Sequence, residues 1–237
     1  MKREFISPVA VRLTCLLGML LSAWPSGQAE VAQPDSADGL FALDNFLEVK
    51  IQMSPLYWDR LRYQYRDITQ ERKPGEAFKD NYTYLPALVS INGKSIGPVG
   101  LRKKGLIGSS STQRPSLKIK FNFAKKGGRY LGLDRLTLNN NIQDPSLVKQ
   151  YLSYKLFRKA GLPAPRCNFA RVFVNGQYLG VYTNVESVRK PFLKRVFNED
   201  KGDLYEGMIN DFREGFHKTF EVKDGAGKKM KSIRRVV

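Results

Sequence analysis

Cysteine and histidine are almost missing from this chain: Cys15, Cys167 and His217 are the only three in 237 residues. Structural zinc clusters need more of these side chains than are present, and with a single histidine and two cysteines to draw on, Ser-His-Asp triads and Cys-His pairs are not expected either, so any catalysis is expected to rest on Lys, Arg, Asp, Glu or hydroxyl groups. Acidic residues are also scarce, with 22 Asp and Glu against 40 Lys and Arg and a formal charge of +18. Such an excess favours anionic partners through long-range attraction and says nothing about the fold. No uninterrupted apolar run reaches the roughly 18 residues of a membrane span.

What is present begins with a leader. Lys2 and Arg3 precede a mostly apolar run from Val9 to Trp24, broken by Arg12 and Thr14, and Ser26-Gly27-Gln28-Ala29 supplies small residues for cleavage. Residues 1–29 therefore read as a signal peptide, with an uncleaved anchor as the alternative, and the mature chain as exported to a periplasmic, extracellular or envelope location with no transmembrane span. Removal takes away Lys2, Arg3, Arg12 and Glu4 and leaves a formal charge of +16. It also leaves Cys167 alone, so no intramolecular disulfide can form in the oxidising compartment. Residues 30–39 read as a polar linker, residues 40–220 as the folded domain and residues 221–237 as a basic tail.

Residues 46–51 alternate as a strand, and Ser54-Pro55 opens a helix expected over 55–65. Asn92-Gly93 and Asn175-Gly176 sit between alternating arms, and this pair tolerates the positive φ angles of a tight hairpin turn. Strands are expected around 117–121 and 136–138. Asp144-Pro145, followed by apolar residues at helical spacing up to Gly161, predicts a long helix, and residues 187–197 a shorter one. The pattern predicts an α+β fold: an antiparallel sheet with two principal helices.

Three constellations could carry chemistry. Gly100, Gly105 and Gly108 with Ser109, Ser110 and Ser111 lie beside Arg102, Lys103 and Lys104, where small residues let backbone N–H groups approach phosphate oxygens. The stretch matches neither the Walker nor the dinucleotide pattern, and a flexible turn accounts for the same residues. Lys118 and Lys120 project from one strand face, as a phosphate-pairing lysine would, with Glu186 as a carboxylate to hold it; equally, both lysines could line the wet face of an amphipathic strand. Glu199, Asp200, Asp203, Glu206 and Asp211 form an acidic run without EF-hand spacing, for which a solvated turn is the simpler account.

Several segments, taken in order, closely resemble the amino-terminal half of the spore-coat protein H (CotH) kinase family. They are LRKKG with its serine loop and SLKIKF, then LNNNIQDPSLVKQYLSYKLFRKAGLPAPR, then VFVNGQYLGVYTNVESVRKPFLKRVF, covering about Leu43 to Gly207. The resemblance implies the first lobe of an atypical kinase-like fold that binds ATP with magnesium and phosphorylates serines on secreted or coat proteins. It implies that Arg102, Lys104, Ser109 and Ser110 lie over the nucleotide phosphates, that Lys118 pairs with them, and that Glu186 is its partner or a metal-side acid. Family members continue into a second lobe with Trp-Asp-Asp-like and Pro-Trp-Asp-Tyr-Asp-like segments supplying the catalytic and metal-binding carboxylates. Neither occurs here; the chain ends on EVKDGAGKKMKSIRRVV, with six Lys or Arg against two acids. The expectation is a truncated second lobe, no assignable catalytic or metal residue, and an exported protein of ATP-dependent kinase ancestry that is weakly active or inactive. Its partners would be a nucleotide and a secreted or envelope acceptor protein, with no specific nucleic acid. The rival reading is a non-catalytic basic binding module of the envelope or coat; a third is a non-functional fragment.

Overall fold

The computed structural model describes residues 34–66, 82–105, 108–201, 204–207 and 220–222; the expected leader, the acidic residues Asp203 and Asp211, and most of the basic tail lie outside these. Seven strands close into a barrel. In chain order the elements are α1 (Ala37–Leu40), β1 (Leu47–Gln52), α2 (Pro55–Arg62), β2 (Leu85–Ile91), β3 (Lys94–Lys104), β4 (Ser116–Lys120), β5 (Arg135–Asn139), α3 (Lys149–Lys159), β6 (Cys167–Val174), β7 (Gln177–Glu186), α4 (Lys190–Phe197), and a small antiparallel pair, β8 (Tyr205–Gly207) with β9 (Phe220–Val222). Around the barrel the order is β1-β2-β3-β4-β5-β7-β6, and the ring closes where β1 pairs with β6 in parallel; all other neighbours are antiparallel.

The expected α+β lobe with two principal helices is thus corrected to a closed mixed barrel carrying short helices. The period-two pattern was visible strand by strand, but closure depends on Leu47–Ile51 meeting Ala170–Val174, residues too far apart in sequence for any local pattern to report. Inward positions follow the pleat: Leu47, Val49 and Ile51 of β1 face Ala170, Val172 and Val174 of β6, while Leu101, Ile119 and Leu136 form a row across β3, β4 and β5. All these positions are buried, and closure leaves no unpaired edge in the barrel.

The two hairpins form as the Asn-Gly pairs require, with φ of 50° and 82° at Asn92 and Gly93 and of 50° and 84° at Asn175 and Gly176. Each asparagine does further work, since Asn92 Oδ1 accepts from Glu48 N and Asn175 Oδ1 from Met53 N, tying both turns to the ends of β1. The expected helix from Asp144 starts five residues later. Leu147 has φ +62°, incompatible with a continuous helix, and the Asp144 carboxylate instead accepts from Ser146 and from Lys149 N. No residue of α3 is buried, and Leu152, Leu156 and Phe157 remain exposed. The helical spacing was there; the core that it was expected to face is filled by strands.

Two different plugs seal the barrel. At the end where β1 and β6 begin, Leu40 enters the core, and Asn168 Nδ2 donates to the carbonyls of Leu40, Ala42 and Asn45 at 3.2, 2.8 and 2.8 Å. At the opposite end α2 inserts Leu61, and Lys103 donates to the carbonyls of Arg62 and Gln64 at 2.5 and 2.7 Å.

Candidate functional site

The register of β3, β4 and β5 sorts the basic residues of this region onto two faces. Lys103 pairs with Leu117 and therefore points inward, where it is only 1% exposed. Burial pulls its ammonium down to about 8, because desolvation disfavours the charged form. Arg102 pairs with Lys118, and Lys120 with Arg135, so these four cations share the outer face as two consecutive like-charge cross-strand pairs. Like charges directly opposite each other on neighbouring strands repel. The ring of Tyr84 offsets part of this: Arg102, Lys120 and Arg135 lie 5.2, 5.4 and 5.9 Å from its centroid, within the range of cation–π attraction.

Lys104 continues the same outer row toward the barrel end and donates to Asn139 Oδ1 at 2.7 Å, which is in turn held through its amide by Gln150 Oε1 of α3. Thr137, the direct partner of Lys118 on β5, shares a hydrogen bond with Ser187 at 3.0 Å. The outer face is therefore a cationic strip edged by hydroxyls and amides. Arg102, Lys104, Ser109, Ser110 and Lys118 all have further interaction partners, so none of them is idle.

The serine-rich loop is fastened to the mouth of the barrel. Ser116 N donates to Ser109 O, Ser111 N to Gly108 O, and Arg114 N to Ser111 Oγ. Arg114 reaches across to the carbonyl of Val181 and lies over the Tyr182 ring at 5.2 Å, while Asn140 donates to Arg114 O. Gly105 is required here: its φ is +117°, and a Cβ would lie 2.2 Å from Ser109 Oγ. Much of the loop's polar capacity is spent on closing the barrel.

Glu186 is placed elsewhere. It pairs with Leu136 and so projects on the inward face at the opposite barrel end, whereas Lys118 projects outward. Its side chain is 0% exposed and is gripped by two guanidiniums: Arg166 Nη2 at 2.7 Å, and Arg195 through Nη2 at 2.6 Å and Nε at 3.2 Å. Burial opposes ionisation, but the hydrogen bonds from Arg195 and Arg166 outweigh it and hold the carboxyl below its usual range. The fold thus brings Arg102, Lys104 and Lys118 onto one face beside the serine loop, and does not bring Glu186 to them. Glu186's arginine partners gave no signal in the sequence; the inward position of Lys103 was available from the alternation Val99, Leu101, Lys103.

A strand-rich domain with this ordered set of segments can be compared with known proteins. A family model described as CotH kinase protein matches residues 89–234. The chain belongs to the CotH family. Among relatives, an inner spore coat protein H-like protein of Bacillus subtilis is 36% identical over 73 residues, 31% of this chain and 24% of that protein. The inner spore coat protein H of the same organism is 36% identical over 66 residues, 28% of this chain and 18% of that protein. The chain thus matches about a fifth to a quarter of the length of these curated CotH relatives, both named as spore coat proteins. No described helix is long and apolar enough to cross a membrane.

Proposed function

We propose that this barrel is the nucleotide-binding lobe of an exported CotH-type protein serine kinase, and that ATP phosphates meet the outer face centred on Lys118. The observation that carries the reading is the pair of consecutive like-charge rungs, Arg102–Lys118 and Lys120–Arg135. A polyphosphate lying across them would convert mutual repulsion into charge-assisted hydrogen bonding. Lys104 would reach the same anion from the loop side, with Ser109 and Ser110 at the rim. ATP, when bound, supplies the transferable phosphoryl group; these residues orient and neutralise it.

Magnesium fits less well. Among the described residues no group of three His, Cys, Asp or Glu side chains could hold a metal ion, so no step is derived through one here. The described residues therefore contribute the cationic half of a phosphotransfer site, with weak or no activity of their own.

Titration of the full chain with ATP at fixed ionic strength tests the reading. Saturable binding that falls at least tenfold in Lys118→Ala supports it. Salt-sensitive binding to any polyanion, indifferent to Lys118, supports instead the second reading of a non-catalytic basic module of the envelope or coat, which the inward commitment of the serine loop favours. Phosphorylation of a serine-containing acceptor by the chain alone would overturn the assignment of only half a site.

A further inference from the structure

The arginines that hold Glu186 also form the floor of a cavity that plays no part in the outer-face reading. It has a volume of about 590 Å³, within the usual size range of small-ligand sites, and lies at the barrel end plugged by α1. Five cations line it: Arg129, Arg166, Lys190, Lys194 and Arg195. The negative charges nearby are Asp38 and Asp200 in the wall and Glu186 behind it, which leaves an excess of positive charge.

The cations are not equivalent. Arg166 and Arg195 are fixed in place by Glu186, and Asp38 is already engaged by Arg166 Nη1 at 2.5 Å. The Arg166 side chain is 15% exposed, and its Nε–H is buried with no acceptor, a group that ordinarily finds one. Lys190 and Lys194 are four residues apart on α4, so they sit on one face as a repelling pair, and neither has a carboxylate partner among the described residues. Two guanidiniums anchored by Glu186 and two exposed ammonium groups lining the same cavity form a receptor for a multiply charged tetrahedral anion. The cavity exceeds what a bare phosphate fills. Leu131, Leu133 and Pro191 add an apolar wall, and Leu131 holds φ +49° in the tight turn Tyr130–Leu133, where glycine or asparagine is the usual choice.

We propose that this cavity binds a small organic phosphomonoester, its dianion held by Arg166, Arg195, Lys190 and Lys194 and its organic body against Leu131 and Pro191. The site is separate from the outer strand face, since its anchoring carboxylate projects on the other side of the sheet.

The test is calorimetric titration of the full chain with O-phosphoserine and with AMP, using serine and adenosine as unphosphorylated controls. The expected result is saturable binding of at least one phosphomonoester, at least tenfold tighter than its parent compound. A preference for O-phosphoserine assigns the phosphate to a modified amino acid, and a preference for AMP to a nucleotide. The double variant Lys190→Gln, Lys194→Gln replaces two exposed side chains and is expected to weaken binding at least tenfold, whereas Lys159→Gln, at an exposed lysine of α3 outside both sites, leaves it within twofold. No saturable binding of either compound by about 10 mM, a limit weaker than any specific site of this size, would overturn the proposal. So would binding indifferent to the double variant, or binding lost equally with Lys159→Gln.

Discussion

Among the described residues, each end of the barrel buries one charged side chain, and the two are handled in opposite ways. Glu186 is enclosed by Arg166 and Arg195, so its charge is matched by opposite charge and its carboxyl is held below the usual range. Among the described residues Lys103 meets only the carbonyl oxygens of Arg62 and Gln64, dipoles at and just past the end of α2, and desolvation lowers its ammonium to about 8. Opposite charge can repay desolvation, whereas two carbonyls repay it only in part. The Glu186 end is therefore an electrostatic lock, and the Lys103 end a polar clasp that carries a standing penalty near neutral pH.

Breaking the lock should have the largest effect. Glu186→Ala leaves Arg195 without this carboxylate and the largely buried Arg166 with Asp38 alone, and is expected to lose about 3 kcal/mol of stability in chemical denaturation. Its contribution has a defined pH window: because the folded carboxyl lies below its unfolded value, the stabilisation is present above the unfolded pKa and is lost as pH falls through the folded one. A loss under 1 kcal/mol would mean that the lock contributes little. Next in size is the seam beside it. Asn168→Ala removes the donor to the Leu40, Ala42 and Asn45 carbonyls and the acceptor for Asn184, and should cost about 2 to 3 kcal/mol, read in the same denaturation experiment.

The Lys103 end is best probed by pH. Its folded pKa of about 8 lies below the 10.5 of the free side chain, so between these values the unfolded chain binds more protons and stability rises with pH. The gain amounts to at most about 3 kcal/mol at 1.36 kcal/mol per pH unit. Lys103→Met should flatten this rise, seen as a difference between the two proteins' stability profiles from pH 8 to 10.5. Parallel profiles would show that the ammonium is better solvated than its position implies. The smallest structural effect belongs to the outer face, where Lys118→Ala should change stability by less than about 0.5 kcal/mol, or slightly raise it by relieving repulsion with Arg102.

What could be read in advance followed the range of the interaction. Asn92-Gly93 and Asn175-Gly176 announced their turns because the chemistry of a tight turn is local. Strand alternation at 117–121 was equally local, and it put Lys118 outward. The barrel was not legible, because its closing rung joins β1 to β6 across more than a hundred residues. Nor was the fate of Asp144: its carboxylate caps the chain at Lys149, and Leu147 turns left-handed between them. Family resemblance correctly indicated membership, and it made Glu186 either the partner of Lys118 or a metal-side acid. A two-residue parity count through Leu136 and Thr137 sets them on opposite faces once the register is known. Lys103 shows the converse, since the glycine- and serine-rich stretch groups it with Arg102 and Lys104 while its parity with Leu101 places it in the core.

The central claim, that the outer face of β3, β4 and β5 receives nucleotide phosphates, is tested most directly by ATP titration of the full chain beside Lys118→Ala and Lys190→Gln, Lys194→Gln. The account predicts saturable ATP binding that is lost at least tenfold in Lys118→Ala and keeps an outer-face component in the double variant. ATP binding unchanged by Lys118→Ala would contradict it.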